Sequence, residues 1–184
     1  MIDVEVLCVK RKQPLKAPLC LVIMWAENIG FSHVAIKHSE FVSDSVTKFS
    51  RTLAEEEFLK TYVVVEKFKI KLPVTKSAFK EYIAYTDGLP YSIPQLLLIA
   101  LRLSFKRLQR LMRFVVWDGQ KALICTERVA RLLSWAKVFE FEQSLDLISL
   151  KDVYKALYRI EKYGLKAQGW YSKVRREKIK HETI

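Results

Sequence analysis

The sequence is poor in residues that break, crosslink or disorder a chain. Glycine and proline occur five times each, and no low-complexity stretch or internal repeat is visible. This composition excludes collagen-like, solenoid and disordered classes. The three cysteines are widely spaced, without a CxxC pattern or a cysteine–histidine cluster. We therefore expect no disulfide framework, no metal site and no other cofactor, in keeping with a reducing compartment.

Long apolar runs are also missing, so no segment reaches the roughly 20 apolar residues needed to span a bilayer. Residues 19–25 follow four basic residues and superficially resemble the apolar part of a signal peptide. However, the run is short, and Asp3 and Glu5 precede it. We read it as mature structure and expect no stable membrane insertion. The expected location is cytoplasmic, or virion-associated if the protein is encoded by a bacteriophage.

Acidic charge is in short supply, with 20 Asp and Glu against 32 Lys and Arg, a formal net charge of +12. Such a balance favours polyanionic partners. Within one predicted helix, a run of basic side chains forms a candidate polyanion contact: Arg102, Lys106, Arg107, Arg110 and Arg113. The alternative is that this run is the solvated face of a helix whose leucines pack inward.

The order of the predicted elements is typical of an α+β fold. Strand patterns cover residues 4–10, 31–37, 41–46 and 61–72, and a short buried helix is predicted to end near Glu27. Helical spacing dominates from residue 75 onward, with Ser92 as an N-cap, Cys125 near a helix start, and a capping box at 149–152 opening a helix to about 158. We expect a small antiparallel sheet packed against helices, rather than alternating parallel units.

Cys125 and His33 are the candidate reactive residues. A thiol hydrolase requires a cysteine that ionises, a base within hydrogen-bond reach and a polar group that orients the base. Cys125 precedes Thr126 and Glu127 at a predicted helix N-terminus, whose free N–H groups favour negative charge. His33 lies on an apolar strand, where an imidazole is costly unless it is paired. A buried structural cysteine and a satisfied core histidine are the alternatives.

Asp44 is the candidate for the third group. It lies on the strand after the predicted turn near residues 37–40, which would place it roughly opposite His33. A carboxylate there could orient the imidazole and stabilise its cation. Ser43 or Ser45 would take this role if the strand register differed by one residue. A solvated strand carboxylate is the alternative for Asp44.

Several segments together resemble a known family. They are Trp25, Phe-Ser-His-Val-Ala-Ile at 31–36, Phe-Val-Ser-Asp-Ser-Val at 41–46, Ile-Cys-Thr-Glu-Arg-Val-Ala-Arg-Leu-Leu at 124–133 and Leu-Ile-Ser-Leu-Lys-Asp-Val-Tyr at 147–154. Their order is similar to the circularly permuted branch of the NlpC-type papain-like cysteine hydrolases, in which the histidine strand precedes the cysteine helix. Ala35 and Thr126 replace the glycine and serine common there, and Asp44 stands where glutamate is frequent.

The resemblance implies a permuted papain-like catalytic domain over residues 1–165, followed by a basic C-terminal tail at 166–184. It also implies Cys125 as nucleophile, His33 as base and Asp44 as the third residue, acting through an acyl-cysteine intermediate. The expected activity is an amidase or peptidase on peptide or peptidoglycan-like substrates, such as bacterial cell-wall peptides. Two alternatives remain: a non-enzymatic nucleic-acid or anionic-surface binder, and a lipid acyltransferase or hydrolase with residues 96–101 lining an acyl pocket.

Overall fold

The computed structural model describes residues 1–16, 18–46, 48–104 and 122–164. The described strands are β1 (Ile2–Arg11), β2 (His33–His38), β3 (Phe41–Ser45), β4 (Ser50–Ala54) and β5 (Tyr62–Leu72). The described α-helices are α1 (Pro18–Glu27), α2 (Glu55–Thr61), α3 (Lys76–Thr86), α4 (Ile93–Ser104), α5 (Cys125–Trp135) and α6 (Leu150–Tyr163). Short 3-10 turns cover Pro14–Lys16 and Leu145–Leu147. The α+β class is confirmed.

The strands form one antiparallel sheet in the order β4-β3-β2-β1-β5. The predicted strands and the turn between β2 and β3 are confirmed, whereas β4 was not anticipated. Its sequence, Ser-Arg-Thr-Leu-Ala, is short and largely polar, and it pairs with β3 at the edge of the sheet. Hydroxyl contacts from Ser43 to Thr52 (2.7 Å) and from Ser45 to Ser50 (2.8 Å) hold this pair together. Cross-strand hydroxyl pairs of this kind leave no hydrophobic signal in a sequence.

Each face of the sheet carries its own apolar cluster. On one face, alternate residues of β1, β2 and β5 pack against α5 and α6, in a core that includes Val6, Ile36, Phe68, Leu133 and Leu157. The opposite face is smaller and is covered by α2 through Phe58. The larger core anchors α5 against the central strands, so the position of the first residue of α5 follows from this packing.

Two helix predictions required correction. Helix α1 was expected to be buried, but Trp25 is 82% exposed and Val22 is 51% exposed, because only one face of α1 packs inward. Helix α6 was expected to end near Tyr158, but it continues to Tyr163 since Ile160 extends its buried face. Gly164, with φ of 62°, follows as the C-cap. Among the described residues, no helix is long and apolar enough to cross a membrane.

A buried arginine joins α5 to the strands. Arg128 is 1% exposed, and its guanidinium donates to the Asp44 carbonyl at 2.8 Å and to the Thr86 hydroxyl at 2.9 Å. It also contacts an Asp87 carboxylate oxygen at 2.5 Å. A buried charge is tolerated when it is paired and hydrogen-bonded in this way. The contact therefore holds the first turns of α5 against β3 and α3.

Replacing Arg128 tests this anchor. We expect Arg128→Met to lower the free energy of unfolding by about 3 kcal/mol, because the Asp44 carbonyl and Thr86 hydroxyl lose their donor and Asp87 loses its cation. Urea denaturation of the variant gives the measurement. Lys155→Met, which removes an exposed helix cation, is the matched control and should change stability by less than about 0.5 kcal/mol. A loss below about 1 kcal/mol for Arg128→Met would contradict the anchoring role.

Candidate active site

Cys125 is the first residue of α5, as the sequence predicted, and Ile124 occupies the N-cap position. The apolar residues Val129, Leu132 and Leu133 are buried on the inner face of the helix, which fixes its axis against the sheet. The first intrahelical bond runs from the Arg128 N–H to the Ile124 carbonyl at 3.0 Å. The amides before Arg128 are therefore free of intrahelical partners and point toward the thiol end of the helix.

His33 is the first residue of β2, and the fold brings it beside Cys125. The imidazole lies close enough to the Cys125 thiol for their electrostatic interaction to raise the pKa of His33, and its Nε2 is 3.5 Å from Asp44 Oδ2. Since Nε2 faces the carboxylate, Nδ1 is the nitrogen left to face the thiol. The ring also stacks on Tyr62, with centroids 5.3 Å apart. Two polar contacts and one stacking contact thus define the orientation of the imidazole.

The charges around His33 favour its protonated form. Burial by itself would lower the pKa of His33, but the neighbouring Cys125, and next the contact with Asp44, raise it well above the ordinary value. Asp44 shows the matching effect. Its burial would raise the pKa of the carboxyl group, but His33 and then Arg51 hold it below its usual value. The pair is therefore arranged as imidazolium and carboxylate.

Asp44 reaches His33 along a diagonal. The register pairs Ile36 with Ser43, so the next step along the ladder places Asp44 level with Ala35, two residues from His33. Side chains two apart share a face, and diagonal neighbours remain within reach of each other. The 3.5 Å separation is too long for a strong hydrogen bond, as is common in catalytic sites without substrate.

The neighbours of Asp44 settle which residue of β3 meets the imidazole. Ser43 and Ser45 are engaged with hydroxyls of β4, so neither of them takes the place of Asp44 beside His33. Arg51, directly opposite Asp44 in the β3–β4 register, donates from Nε to Asp44 Oδ1 at 3.0 Å. The sequence analysis missed Arg51 because β4 itself was missed. A register drawn from Asp44 across a second hairpin would have found it.

Tyr91 is a further site residue that the sequence analysis did not identify. Tyr91 and Cys125 line the same pocket. Burial, and next the neighbouring Cys125, raise the pKa of Tyr91 well above its usual value, so the phenol remains a proton donor. The residue lies just before the N-cap of α4, Ser92, whose hydroxyl accepts from the Gln95 N–H at 3.3 Å. No local pattern marks such a residue, because its role depends on where α4 lies.

A narrow cleft opens beside Cys125, and its cavity of about 10 Å³ has room for about one water molecule. Its walls are mainly aliphatic, with contributions from α1, α4 and the start of α6: Ile23, Leu96, Ile99, Ile124, Ile148 and Leu150. Two hydroxyls of the lining, on Ser32 and Thr126, are buried and make no hydrogen bond within the described part of the chain. The cleft thus combines an apolar wall with polar groups that are free to bind a ligand.

Glu27 is a charged residue in the lining of the cleft. Its carboxylate accepts the backbone N–H groups of Leu150 at 3.0 Å and Lys151 at 2.8 Å. The predicted capping box is confirmed at the same helix end, with Ser149 and Asp152 bonded reciprocally. Glu27 therefore ties the end of α1 to the start of α6, and this contact holds two walls of the cleft together.

The candidate polyanion contact lies mostly outside the described residues. The backbone of Arg102 belongs to α4, but its side chain and Lys106, Arg107, Arg110 and Arg113 fall outside the part of the chain that the structure describes. The same holds for the basic tail at 166–184. Within the described ranges, no three histidine, cysteine or acidic side chains form a group able to hold a metal ion.

The geometry on β2, β3 and α5 defines a cysteine–histidine–aspartate constellation, with the thiol at a helix N-terminus. Comparison with known proteins adds no family assignment: no protein-family model matches the chain, and no curated protein matches it significantly.

A buried carboxylate next to the site yields a test by pH. Glu127 is fully buried, accepts from Gln95 Nε2 at 2.7 Å and pairs with Arg131. Burial outweighs these contacts and raises the pKa of Glu127 from 4.5 to about 7. The folded protein thus binds a proton that the unfolded chain releases, and Glu127 makes the protein less stable as pH rises from about 4.5 to about 7.

Between pH 4.5 and pH 7 the free energy of unfolding of the wild type should fall in part because of Glu127. In Glu127→Gln we expect this fall to be smaller by an amount on the order of 2 kcal/mol. The measurement is the free energy of unfolding in urea at several pH values. Glu161→Gln, at an exposed position on α6, is the matched control and should give a curve parallel to that of the wild type. A parallel curve for Glu127→Gln would show that Glu127 titrates near its ordinary pKa in the folded protein.

Proposed function

We propose that this protein is a cysteine-dependent hydrolase that acts through an acyl-cysteine intermediate. The observation that carries the proposal is the juxtaposition of Cys125, at the start of α5, with an imidazole whose other nitrogen faces Asp44. Nucleophile, base and orienting carboxylate are the parts that acyl transfer by a thiol requires. Their roles are nucleophile for Cys125, base and then acid for His33, and positioning residue for Asp44.

In the proposed reaction, His33 Nδ1 already holds the proton taken from the Cys125 thiol, in keeping with the raised pKa of His33, and the sulfur of this thiolate–imidazolium pair attacks the carbonyl carbon of the substrate. The carbon–leaving-group bond breaks, and the leaving group departs with the proton from His33. A water molecule then gives a proton to His33 and attacks the thioester carbonyl. The carbon–sulfur bond breaks, the acid product leaves, and the sulfur departs as the thiolate paired with protonated His33, which restores the starting state.

Two kinds of hydrogen-bond donor support the proposal that the site stabilises the oxyanion, which is the carbonyl oxygen that becomes negative when the sulfur attacks. The free amides of the first turn of α5 adjoin the sulfur, and their dipoles are aligned along the helix. The Tyr91 hydroxyl approaches the thiol from the α4 side, and the raised pKa of Tyr91 keeps it protonated. A carbonyl oxygen placed between these groups would gain hydrogen bonds as its negative charge develops.

The amidase or peptidase activity, on peptide or peptidoglycan-like substrates, remains the first candidate among acyl substrates. A lipid acyl substrate is the second, because Leu96 and Ile99 contribute to the wall of the cleft, as the acyl-pocket alternative requires. The permuted papain-like fold is part of the same proposal. It is supported by the chain order, in which the His33 strand precedes the Cys125 helix, and by the antiparallel sheet against which that helix packs.

Alkylation by a small reagent tests the nucleophile. We expect iodoacetamide at neutral pH to modify Cys125 at least about tenfold faster than Cys8, since a thiol paired with an imidazole is the more reactive. Cys8 should resist modification because burial, and next Glu66, raise its pKa to about 12. In His33→Ala the Cys125 rate should fall about tenfold. Peptide mass spectrometry over time measures each rate.

His38→Ala serves as the matched control for alkylation, because it removes a histidine at the far end of β2 from His33 and should leave the Cys125 rate unchanged. Circular dichroism checks that His33→Ala is folded. Equal alkylation rates of Cys125 in the wild type and in folded His33→Ala would contradict the proposed pairing of Cys125 with His33.

The orienting role of Asp44 is tested by the titration of His33. Asp44→Asn removes the negative charge beside Nε2, so we expect the pKa of His33 to fall. The His33 Hε1 resonance, followed by NMR across pH, reports the shift. His38 gives an internal control: burial, and next Lys76 and Lys80, lower its pKa, and Asp44→Asn should not change it. An unchanged His33 titration would mean that Asp44 does not act on the imidazole.

A further inference from the structure

The outer face of α1 exposes large apolar side chains. Trp25 is 82% exposed and Val22 51%, with Leu21 at 38%. Leu15, in the 3-10 turn before the helix, is 85% exposed. At 100° per residue, positions 21, 22 and 25 fall within one arc of the helix surface. Exposed apolar residues are common singly, but a cluster that includes tryptophan marks an interaction surface.

The opposite face of α1 belongs to the active-site cleft. Ile23 and Glu27 line the cleft, and Cys20 lies close enough to Tyr91 to contribute to the shift in its pKa. These residues occupy the arc opposite Val22 and Trp25. Helix α1 is thus apolar on both faces, with one directed to the reactive thiol and the other to the outside.

Positive charge lies close to the exposed apolar side chains along the chain, because the segment that joins β1 to α1 is basic. Lys10 and Lys12 are exposed at the end of β1, and Arg11 lies 6.0 Å from the centre of the Tyr62 ring, which in turn stacks on His33. The sequence from 10 to 26 contains four basic residues and no acidic residue. The outer face of α1 and this basic end of β1 are here called the α1 surface.

We propose that the α1 surface docks the protein on the surface of an anionic lipid bilayer. Tryptophan and aliphatic side chains enter the boundary between headgroups and acyl chains, and adjacent lysine and arginine side chains bind acidic headgroups. A second copy of the chain fits the surface less well, because a twofold contact would bring the cations of both copies together. Docking of this kind places the cleft, one helix away, next to the lipid.

Vesicle co-sedimentation tests the proposal with the full chain. Phosphatidylcholine vesicles containing phosphatidylserine should bind the protein, and pure phosphatidylcholine vesicles should bind it far more weakly. Trp25→Ser with Val22→Ser should weaken the partition onto the anionic vesicles about tenfold or more. Lys10→Glu with Lys12→Glu should weaken it by at least about fivefold per charge removed. Added salt should weaken wild-type binding, because it screens the headgroup charge.

Matched controls alter the same residue types elsewhere. Tyr85→Ser removes an aromatic side chain that is 70% exposed on α3, and Lys155→Glu reverses an exposed charge on α6. Both should bind vesicles like the wild type. Circular dichroism confirms that the four variants are folded. Trp25→Phe should retain binding while reducing the blue shift of tryptophan fluorescence that accompanies insertion.

Three results would each overturn the proposal: no sedimentation with anionic vesicles, equal binding to neutral vesicles, or binding unaffected by the α1 substitutions. A dimer in solution that Trp25→Ser dissociates, without vesicle binding, would instead assign the surface to a second copy and equally overturn it. The proposed docking does not require the proposed chemistry. We therefore expect Cys125→Ala to bind vesicles like the wild type. If the alkylation experiment contradicted the proposed hydrolase, the vesicle result would still stand. If the vesicle experiment contradicted docking, the alkylation result would still stand.

Discussion

The guanidinium of Arg128 is the contact on which the geometry of the site depends. It lies three residues after Cys125 and donates to the backbone carbonyl of Asp44, the residue whose side chain faces His33. One buried side chain therefore links the helix of the candidate nucleophile to the strand of the orienting carboxylate. Because a buried cation must retain its acceptors, any shift of α5 relative to β3 would be costly. This constraint preorganises the site before a substrate binds.

The second constraint concerns the helix ends that meet at the cleft. The N-terminus of α5 carries Cys125, and that of α6 is capped by Glu27 from α1. One helix end leaves its amides open beside the thiol, whereas the other has its amides occupied by a carboxylate. The same chemical feature therefore lies beside the candidate nucleophile in one place and joins two helices in the other, because the two ends differ in what fills them.

Much of the site could be predicted from sequence because its signals are local. The helix beginning at Cys125 shows in the spacing of Val129, Leu132 and Leu133, and the hairpin shows in the two strand patterns around residue 39. Asp44 was correctly placed near His33, although the neighbour relation is diagonal rather than directly opposite. The strand β4, the exposed face of α1 and the true end of α6 were not predicted. Each of these depends on what packs against the segment rather than on its own pattern.

The amino-acid sequence by itself determined the α+β class, the order of histidine strand before cysteine helix, and the identity of Cys125, His33 and Asp44 as candidates. These features depend on periodicity and capping, which neighbouring residues set. Tertiary structure alone decided that Tyr91, Arg51 and Arg128 join the site, and that α1 presents one apolar face to the cleft and another to the outside. Except for the contact of Arg51 with Asp44, which depends on the pairing of β4 with β3, those relations connect residues tens of positions apart, and only the packing of the sheet and helices brings them together.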